Sequence, residues 1–277
     1  MTSRLVEVNG VHLNVEEREA SGTQRGTLVL LHGFTGSAAG WGEHLDTFAA
    51  AGQRVIALDM LGHGQSDAPA DPARYAIERC SEDILAALAR LGVREGEATL
   101  LGYSMGGRIA LYTAFSGFFH ALILESASPG LAGEAERAAR RASDAALADR
   151  IERDGIAPFV AYWEGLPLFA SQRALPEERR AALRNQRLRN NPVGLANSLR
   201  GVGTGSQPAL HSQLSELTLP TLLIAGALDT KYCDIAREMA EQLPDVRLHI
   251  VADAGHTVHF EQPAQFDQLV LAFCLEQ

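Results

Sequence analysis

A serine flanked by glycines is the residue in this sequence with the clearest capacity for chemistry. Residues 102–106 read GYSMG, follow the apolar run 98–101 and open a helical pattern. A G-x-S-x-G sequence between a strand and a helix is typical of a tight turn that presents a nucleophile, because larger neighbours would clash there. Serine is a weak nucleophile by itself. We therefore expect Ser104 to be the catalytic nucleophile and to depend on a base and an acid elsewhere in the chain.

The partners of Ser104 are expected on loops that follow later strands, because the carboxyl ends of parallel strands meet at one edge of a sheet. Asp229 follows the apolar run 221–225, and His256 follows the run 247–251. A carboxylate that is hydrogen-bonded to a histidine fixes its tautomer and stabilises its charged form. The sequence therefore predicts a Ser104–His256–Asp229 catalytic triad.

Three neighbouring residues are alternatives to these partners. His259 lies one helical turn beyond His256 and is the alternative base, although its position favours a structural role. Asp253 and Asp234 are weaker alternatives to Asp229 as the acid. The distances between the side chains decide among them.

A second glycine-rich turn is expected to bind a developing negative charge. Residues 32–36 (HGFTG) follow the apolar run 27–31, so backbone N–H groups in this turn can point toward the nucleophile. We assign an oxyanion hole to the N–H groups of Phe34 and Met105. The His32 side chain is expected to be structural.

The rest of the chain alternates apolar runs with helical patterns. Residues 4–8 and 11–16 alternate apolar and polar side chains around Asn9-Gly10, which indicates a β-hairpin. Continuous apolar runs separated by helices favour a parallel sheet covered on both faces. The predicted strands are 27–31, 54–58, 98–101, 121–125, 221–225 and 247–251, and the predicted helices are 77–91, 105–115, 233–242 and 263–274.

This alternation stops between Gly130 and Pro220. The stretch is rich in Arg, Ala, Glu and Leu and has no strong strand pattern, so we expect several helices inserted between two strands. An insertion above the carboxyl ends of the strands would cover the predicted active site as a cap. A second helical layer packed elsewhere is the alternative.

The composition argues against several classes of function. The chain has 277 residues and a formal net charge of −10, which is unfavourable for a nucleic-acid or anionic-membrane surface. We find no apolar leader and no run of about 18 apolar residues, so no membrane span is expected. The three cysteines lack framework spacing, which favours reduced thiols in the cytoplasm. No ligand spacing predicts a metal or an organic cofactor.

The positive charges are distributed unevenly. Lys231 is the only lysine, and residues 130–200 hold 12 arginines against 9 acidic residues. The rest of the chain has a charge balance of −13. A mildly basic segment in an acidic protein predicts a small anionic ligand there, although most of these arginines are expected to solvate helix faces.

These features resemble the α/β-hydrolase superfamily over essentially the whole chain. The resemblance implies an α/β-hydrolase fold with a mostly parallel, eight-stranded sheet, helices on both faces and a helical cap. We divide the chain into a core of residues 1–129 and 207–277 and a cap of residues 130–206. In detail the chain most resembles the 2-succinyl-6-hydroxy-2,4-cyclohexadiene-1-carboxylate synthases of menaquinone biosynthesis. The matching stretches are GYSMGGR (102–108), ESASPGL (125–131), the region 139–144, WEGLPLFAS (163–171), the region around Arg187 and GALDTKY (226–232).

The second resemblance implies a lyase. These synthases eliminate pyruvate from a succinylated enolpyruvyl-cyclohexene carboxylate, which carries three carboxylates and a ketone. By this resemblance Ser104, activated by His256, would start proton abstraction, and the oxyanion hole would stabilise enolate charge. A ligand with several carboxylates favours charge-assisted partners. The residues that match the family's carboxylate binders are Arg140, Arg187 and Lys231, with Arg108 as a further candidate, and those that match its pocket lining are Tyr103 and Trp163.

Two points stay open on the sequence alone. Helix phase decides whether Arg141 and Arg189 take the places of Arg140 and Arg187, and the segment 172–191 is longer and richer in arginine than the resemblance leads us to expect. The reaction is also open, because a carboxylesterase or C–C bond hydrolase of the same fold would keep the triad. A non-catalytic binding protein is a weaker alternative, because no triad residue is missing.

The cap separates the first two reactions. A synthase requires Arg140, Arg187 and Lys231 to point into one cavity with the nucleophile. An esterase would have a mainly apolar pocket there. In either reaction we expect a small-molecule substrate, anionic in the synthase, and neither nucleic acid nor membrane as a partner.

Overall fold

The computed structural model describes residues 2–277 and contains each strand and helix that the sequence predicts, with ends that differ by at most three residues. The strands are β1 (Thr2–Val8), β2 (Val11–Arg18), β3 (Gly26–Leu31), β4 (Gln53–Leu58), β5 (Ala98–Tyr103), β6 (Ala121–Glu125), β7 (Thr221–Gly226) and β8 (Val246–Val251). The α-helices are α1 (Glu43–Ala50), α2 (Ile77–Arg90), α3 (Met105–Ala114), α4 (Glu134–Asp154), α5 (Ile156–Glu164), α6 (Glu177–Leu188), α7 (Pro192–Val202), α8 (Thr230–Ala240), α9 (Val258–Glu261) and α10 (Pro263–Leu275). Short 3₁₀ helices cover Ala38–Trp41, Pro72–Tyr75, Pro167–Ala174 and His211–Glu216.

The eight strands form one sheet in the order β1-β2-β4-β3-β5-β6-β7-β8. The hairpin β1–β2 is antiparallel and joins β4 in antiparallel orientation, whereas all pairs from β4 to β8 are parallel. The mostly parallel, eight-stranded α/β-hydrolase sheet is therefore confirmed. Its parallel strands all end at one edge, where β5, β7 and β8 lead into the loops that carry the predicted triad.

Strand side chains alternate between two cores. Val29 and Leu100 pack with α2 and α3 on one face, whereas Leu28 and Leu101 pack with α1 and α10 on the other. Successive side chains of a strand point to opposite faces, so a strand that is covered on both sides must be apolar throughout. This explains why the central strands appear as continuous apolar runs in the sequence.

Helices α4, α5, α6 and α7 lie between β6 and β7, where the sequence predicts an insertion. They have a small apolar core of their own, in which α4, α5 and α7 meet around Ile151, Phe159 and Leu195. The division into a core of residues 1–129 and 207–277 and a cap of residues 130–206 stays a prediction. Among the described residues, no helix is both long and apolar enough to span a lipid bilayer.

Two buried histidines are expected to make the stability of the fold sensitive to mild acid. Burial lowers the pKa of His63 to about 3, and burial also lowers the pKa of His32. Below about pH 6.5, each of these histidines therefore binds a proton in the unfolded chain but stays neutral in the folded chain. The free energy of unfolding should fall as the pH falls, by up to about 1.4 kcal/mol per pH unit for each group.

Urea unfolding at several pH values checks this expectation. His63→Asn should reduce the slope of unfolding free energy against pH between about pH 6.5 and pH 5 by up to about 1.4 kcal/mol per unit. His249→Asn, at an exposed position on β8, is the matched control and should leave the slope unchanged. Equal slopes in wild type and His63→Asn would contradict a neutral buried His63.

Candidate active site

The turn at Ser104 is strained in the way that a presented nucleophile requires. Ser104 has φ of +52°, a left-handed conformation that residues other than glycine rarely adopt, and it lies between β5 and α3. Side chains at Gly102 or Gly106 would collide with backbone atoms of Gly106 and Leu31 respectively. The two glycines of the GYSMG sequence are therefore needed for close approach of the backbone at this turn.

The loops after β7 and β8 bring a carboxylate and an imidazole to this serine. Ser104 Oγ lies 2.9 Å from His256 Nε2, and His256 Nδ1 lies 2.7 Å from Asp229 Oδ2. The His256 side chain is only 2% exposed. With the Asp229 carboxylate accepting from Nδ1–H, His256 Nε2 is free to accept the proton of the serine hydroxyl. The structure thus assembles the three residues that the sequence predicts as a triad.

A nearby carboxylate holds the histidine loop in place. Glu261 accepts hydrogen bonds from Gly255 N at 2.8 Å and from Thr257 N at 3.3 Å. The backbone is therefore fixed on both sides of His256. Such support keeps a catalytic hydrogen bond in register without touching the reacting atoms.

The alternative triad residues are occupied elsewhere. His259 Nδ1 bonds to the buried Glu125 carboxylate at 2.7 Å. Asp234 pairs with Arg237 on the surface of α8 at 2.7 Å. Asp253 is exposed and makes no side-chain hydrogen bond with His256. Among the described residues, Asp229 is the only carboxylate that is hydrogen-bonded to His256.

Two backbone N–H groups are placed to receive negative charge beside Ser104. Met105 is the first residue of α3, so its N–H has no partner within the helix. Within residues 2–277 neither Phe34 N nor Met105 N donates to a backbone acceptor outside a helix or strand. The His32 side chain has a structural role. Its Nε2 accepts a hydrogen bond from Met60 N at 3.0 Å, which connects the turn after β3 to the loop after β4. This arrangement supports the predicted oxyanion hole.

Ser104 and His256 open onto a cavity of about 180 Å³ between the sheet edge and the inserted helices. About half of its lining residues are apolar or aromatic. Arg108, Arg140 and Lys231 contribute three positive charges to the same wall. The other lining residues are Phe34, Tyr103, Met105, Trp163, Leu168, Phe169, Ser198, Leu199, Val202, Gly203, Thr204 and Tyr232.

The three cations differ in how firmly they are held. Arg108 is buried, and its Nη1 donates to Val202 O at 3.0 Å and to Gln207 Oε1 at 2.6 Å. Burial lowers the pKa of Arg108 to about 10, which still leaves it charged at neutral pH. Arg140 Nε donates to Asp144 at 2.8 Å, whereas Lys231 is exposed at the start of α8. A fixed, buried arginine and two more accessible cations therefore surround the cavity.

Arg187 differs from the prediction that it shares this cavity. Its guanidinium lies 5.2 Å from the centre of the Phe169 ring and bonds to Glu164 and Gln172 at 3.3 Å each. Phe169 lines the Ser104 cavity, and Arg187 lines a neighbouring space of about 60 Å³ instead. Arg189, its alternative, is exposed in a surface groove. The helix phase of α6 thus directs neither arginine at the triad.

Tyr103 and Trp163 both lie at the cavity, as the resemblance implied. Tyr103 Oη is 2.8 Å from Thr257 Oγ1, next to His256, and burial raises the pKa of Tyr103. The Trp163 ring packs edge-on against Phe34 at 5.2 Å. Trp163 therefore belongs both to the packing of the inserted helices and to the cavity wall. Arg141 pairs with Glu134 instead of lining the cavity, so Arg140 is the residue that α4 presents.

Comparison with known proteins identifies the family. A model of the alpha/beta hydrolase fold matches residues 26–263. A putative 2-succinyl-6-hydroxy-2,4-cyclohexadiene-1-carboxylate synthase of Bacillus subtilis (strain 168) is 48% identical over 248 residues, which cover 89% of this chain and 89% of that relative. This chain belongs to the 2-succinyl-6-hydroxy-2,4-cyclohexadiene-1-carboxylate synthase family of α/β hydrolases.

Further members of the synthase family agree with the assignment. The synthase of Serratia proteamaculans (strain 568) is 34% identical over 242 residues, 86% of this chain and 89% of that relative. The solved structure of MenH from S. aureus is 38% identical, with a TM-score of 0.90 over 95% of this chain and 98% of that one. The likeness therefore covers both the sheet and the inserted helices.

Two wall residues of this synthase-family site were missed by reasoning from the sequence. Tyr232 follows Lys231 on the first turn of α8, and Phe169 lies in the 3₁₀ helix Pro167–Ala174. Both fall inside stretches that match the family, GALDTKY and WEGLPLFAS. The match could have drawn attention to these residues, but it does not show which way their side chains point.

Among residues 2–277, no group of His, Cys, Asp or Glu side chains is arranged to hold a metal ion.

Proposed function

We propose that this chain eliminates pyruvate from 2-succinyl-5-enolpyruvyl-6-hydroxy-3-cyclohexene-1-carboxylate to form 2-succinyl-6-hydroxy-2,4-cyclohexadiene-1-carboxylate. One observation carries the proposal. The hydrogen-bonded Ser104–His256–Asp229 triad opens onto a cavity that also contains Arg108, Arg140 and Lys231. A base beside three cations suits the removal of a proton from a substrate that carries three carboxylates.

The triad supplies the base in this mechanism. His256 accepts the hydroxyl proton of Ser104, and the serine oxygen takes a proton from the ring carbon next to the succinyl ketone. The electron pair of that C–H bond moves onto the ketone as an enolate. Collapse of the enolate shifts the ring double bond and breaks the C–O bond to the enolpyruvyl group. That group leaves with the electron pair of the C–O bond and takes a proton to become pyruvate.

The oxyanion hole stabilises the charge that develops between these steps. The N–H groups of Phe34 and Met105 would donate hydrogen bonds to the enolate oxygen. One such preorganised donor typically increases the rate about 10²–10³-fold, which corresponds to several kcal/mol of transition-state stabilisation. No acyl-enzyme forms, so the hole acts on an enolate instead of a tetrahedral adduct. This reaction consumes no water and needs no cofactor.

The substrate carboxylates are bound by the cations of the wall. We assign Arg108 and Arg140 together to one substrate carboxylate, and Lys231 to another that lies nearer α8. Tyr103 and Trp163 contact the ring of the substrate. We leave Arg187 out of this set because Phe169 separates it from the triad.

Removing a cation should weaken the enzyme without unfolding it. Arg140→Ala and Lys231→Ala are each expected to lower kcat/KM for pyruvate release by about 10–1,000-fold, because each would lose a charge-assisted bond to a carboxylate. Arg153→Ala is the control, since Arg153 lies on the same helix as Arg140 and pairs with Asp154 on the surface. If Arg140→Ala and Lys231→Ala both keep the wild-type kcat/KM, the cations do not bind the substrate.

A coupled assay tests the reaction itself. Chorismate, 2-oxoglutarate and the preceding enzymes of the pathway generate the substrate in place, and pyruvate release is followed with and without this protein. We expect a large acceleration over the uncatalysed release. Absence of acceleration would exclude the synthase reaction, and an ester hydrolase of the same fold would become the alternative.

The site of action follows from the substrate and the thiols. We propose that the protein acts in the cytoplasm on a small anionic carboxylate. Cys80 and Cys233 are buried and Cys274 is half-buried, and all three are free. Free thiols favour a reducing compartment.

A further inference from the structure

The phenol of Tyr232 lies directly beside the catalytic histidine. Tyr232 is on the first turn of α8, and its ring centre is 4.5 Å from that of His256 in an edge-on arrangement. Its backbone N–H donates to the second oxygen of the Asp229 carboxylate at 3.4 Å. One residue therefore contacts both the base and the acid of the triad and also forms part of the cavity wall.

The hydroxyl of Tyr232 has no partner of its own. It makes no hydrogen bond with any of residues 2–277, and the side chain is half-buried in the cavity wall. Burial raises the pKa of Tyr232, so the hydroxyl keeps its proton and remains a donor at neutral pH. The charged groups that act on it are those of Arg108, Asp229 and Arg140. A hydroxyl of the cavity wall that has no protein partner is free to donate to a ligand or to water.

The neighbouring charges indicate what would satisfy this donor. Arg108 and Arg140 attract an anion to the same part of the cavity, and both line it together with Tyr232. A carboxylate has about four acceptor positions, so a neutral hydroxyl can donate to it beside two guanidinium groups. Asp229 is already bonded to His256 and to Tyr232 N, and it does not compete for the hydroxyl.

We propose that Tyr232 is a specificity-determining residue whose hydroxyl donates a hydrogen bond to the substrate carboxylate held by Arg108 and Arg140. The inference rests on the proposed synthase function and names one more contact for its substrate. The hydroxyl acts on binding and not on proton transfer, because the triad already supplies the base.

Tyr232→Phe removes this hydroxyl and keeps the ring against His256. We expect KM for pyruvate release to rise about tenfold while kcat stays within about twofold of wild type, since uniform binding of ground and transition states is lost. Tyr162→Phe is the matched control, because Tyr162 is exposed on α5 beneath the Arg150 guanidinium at 4.7 Å. The control should leave KM unchanged.

A purely structural role predicts a different result. If packing on His256 is all that Tyr232 contributes, Tyr232→Phe will have wild-type KM and kcat, and the proposal is overturned. A fall in kcat with unchanged KM would also overturn it, because that pattern places the hydroxyl in the chemical step.

A binding measurement separates this proposal from the synthase function. Tricarballylate, a saturated tricarboxylate that cannot react, is titrated calorimetrically into wild type, Tyr232→Phe and Tyr162→Phe. About tenfold weaker binding by Tyr232→Phe alone supports the hydroxyl contact even if no pyruvate is released in the coupled assay. Equal affinities in all three proteins, or no binding to wild type, would overturn the contact even if wild type releases pyruvate.

Discussion

Ser104→Ala is expected to lower kcat for pyruvate release by about 10³–10⁵-fold, the largest loss that we predict for any single substitution in this chain. The variant loses the hydroxyl that lies 2.9 Å from His256 Nε2, so the base has no oxygen through which to take the substrate proton. Substrate binding should change little, because the serine carries no charge in the resting enzyme. Steady-state kinetics with purified substrate and a binding titration measure the two quantities separately.

Ser116→Ala is the control for this substitution. Ser116 is exposed just after the far end of α3, the helix that Ser104 precedes. It should retain wild-type kcat, and both variants should retain the wild-type unfolding temperature. A Ser104→Ala variant that releases pyruvate at more than about a tenth of the wild-type rate would mean that His256 acts without the serine.

Asp229→Asn is expected to lower kcat by about 10²–10⁴-fold. An amide at this position can donate to His256 Nδ1, which favours the tautomer with its proton on Nε2. That tautomer cannot accept a proton from Ser104. The loss should appear in kcat more than in KM, since Asp229 is not part of the cavity wall. The same kinetic assay across a range of pH measures it.

Asp253→Asn is the matched control for the acid. Asp253 precedes the His256 loop, has φ of +56° and is exposed, and asparagine tolerates this left-handed backbone well. Its activity should equal that of wild type. If Asp253→Asn is as impaired as Asp229→Asn, the effect comes from loop structure and not from the carboxylate beside Nδ1.

The sheet and the three triad residues are the parts of this molecule that can best be predicted from the sequence. Ser104, Asp229 and His256 lie in the turn or loops that follow the parallel strands β5, β7 and β8, and parallel strands must end at one edge. The strained turn at Ser104 can be predicted from the sequence, because only glycines fit beside the serine. Strand order and the pairing of the antiparallel hairpin with β4 were not predicted, since no local pattern records them.

The directions of the side chains on the inserted helices could not be predicted from the sequence. Arg140 and Arg141 are adjacent, yet α4 directs the first to the cavity and the second to Glu134. On α6, Arg187 stacks on Phe169 behind the wall. A rotation of one helix by one residue reverses such assignments, and the crossing of packed helices fixes that rotation. Charge composition indicates an anionic ligand without indicating which arginines bind it.

The position of Arg187 has a consequence for how the inserted helices are held. Arg187 bonds to Gln172, Gln172 Nε2 donates to Thr257 Oγ1 at 3.0 Å, and Thr257 directly follows His256. These hydrogen bonds therefore connect the inserted helices to the loop that carries His256. This connection gives Arg187 a structural explanation that does not require contact with substrate.

We expect the triad to remove a proton and to expel pyruvate without the addition of water. Mass spectrometry of the ring product from a single turnover of wild type tests this claim most directly. We predict the cyclohexadiene together with one equivalent of pyruvate, at a rate that Ser104→Ala does not support. A ring product heavier by one water, as hydrolysis of the enolpyruvyl ether would give, or an unchanged substrate would contradict it.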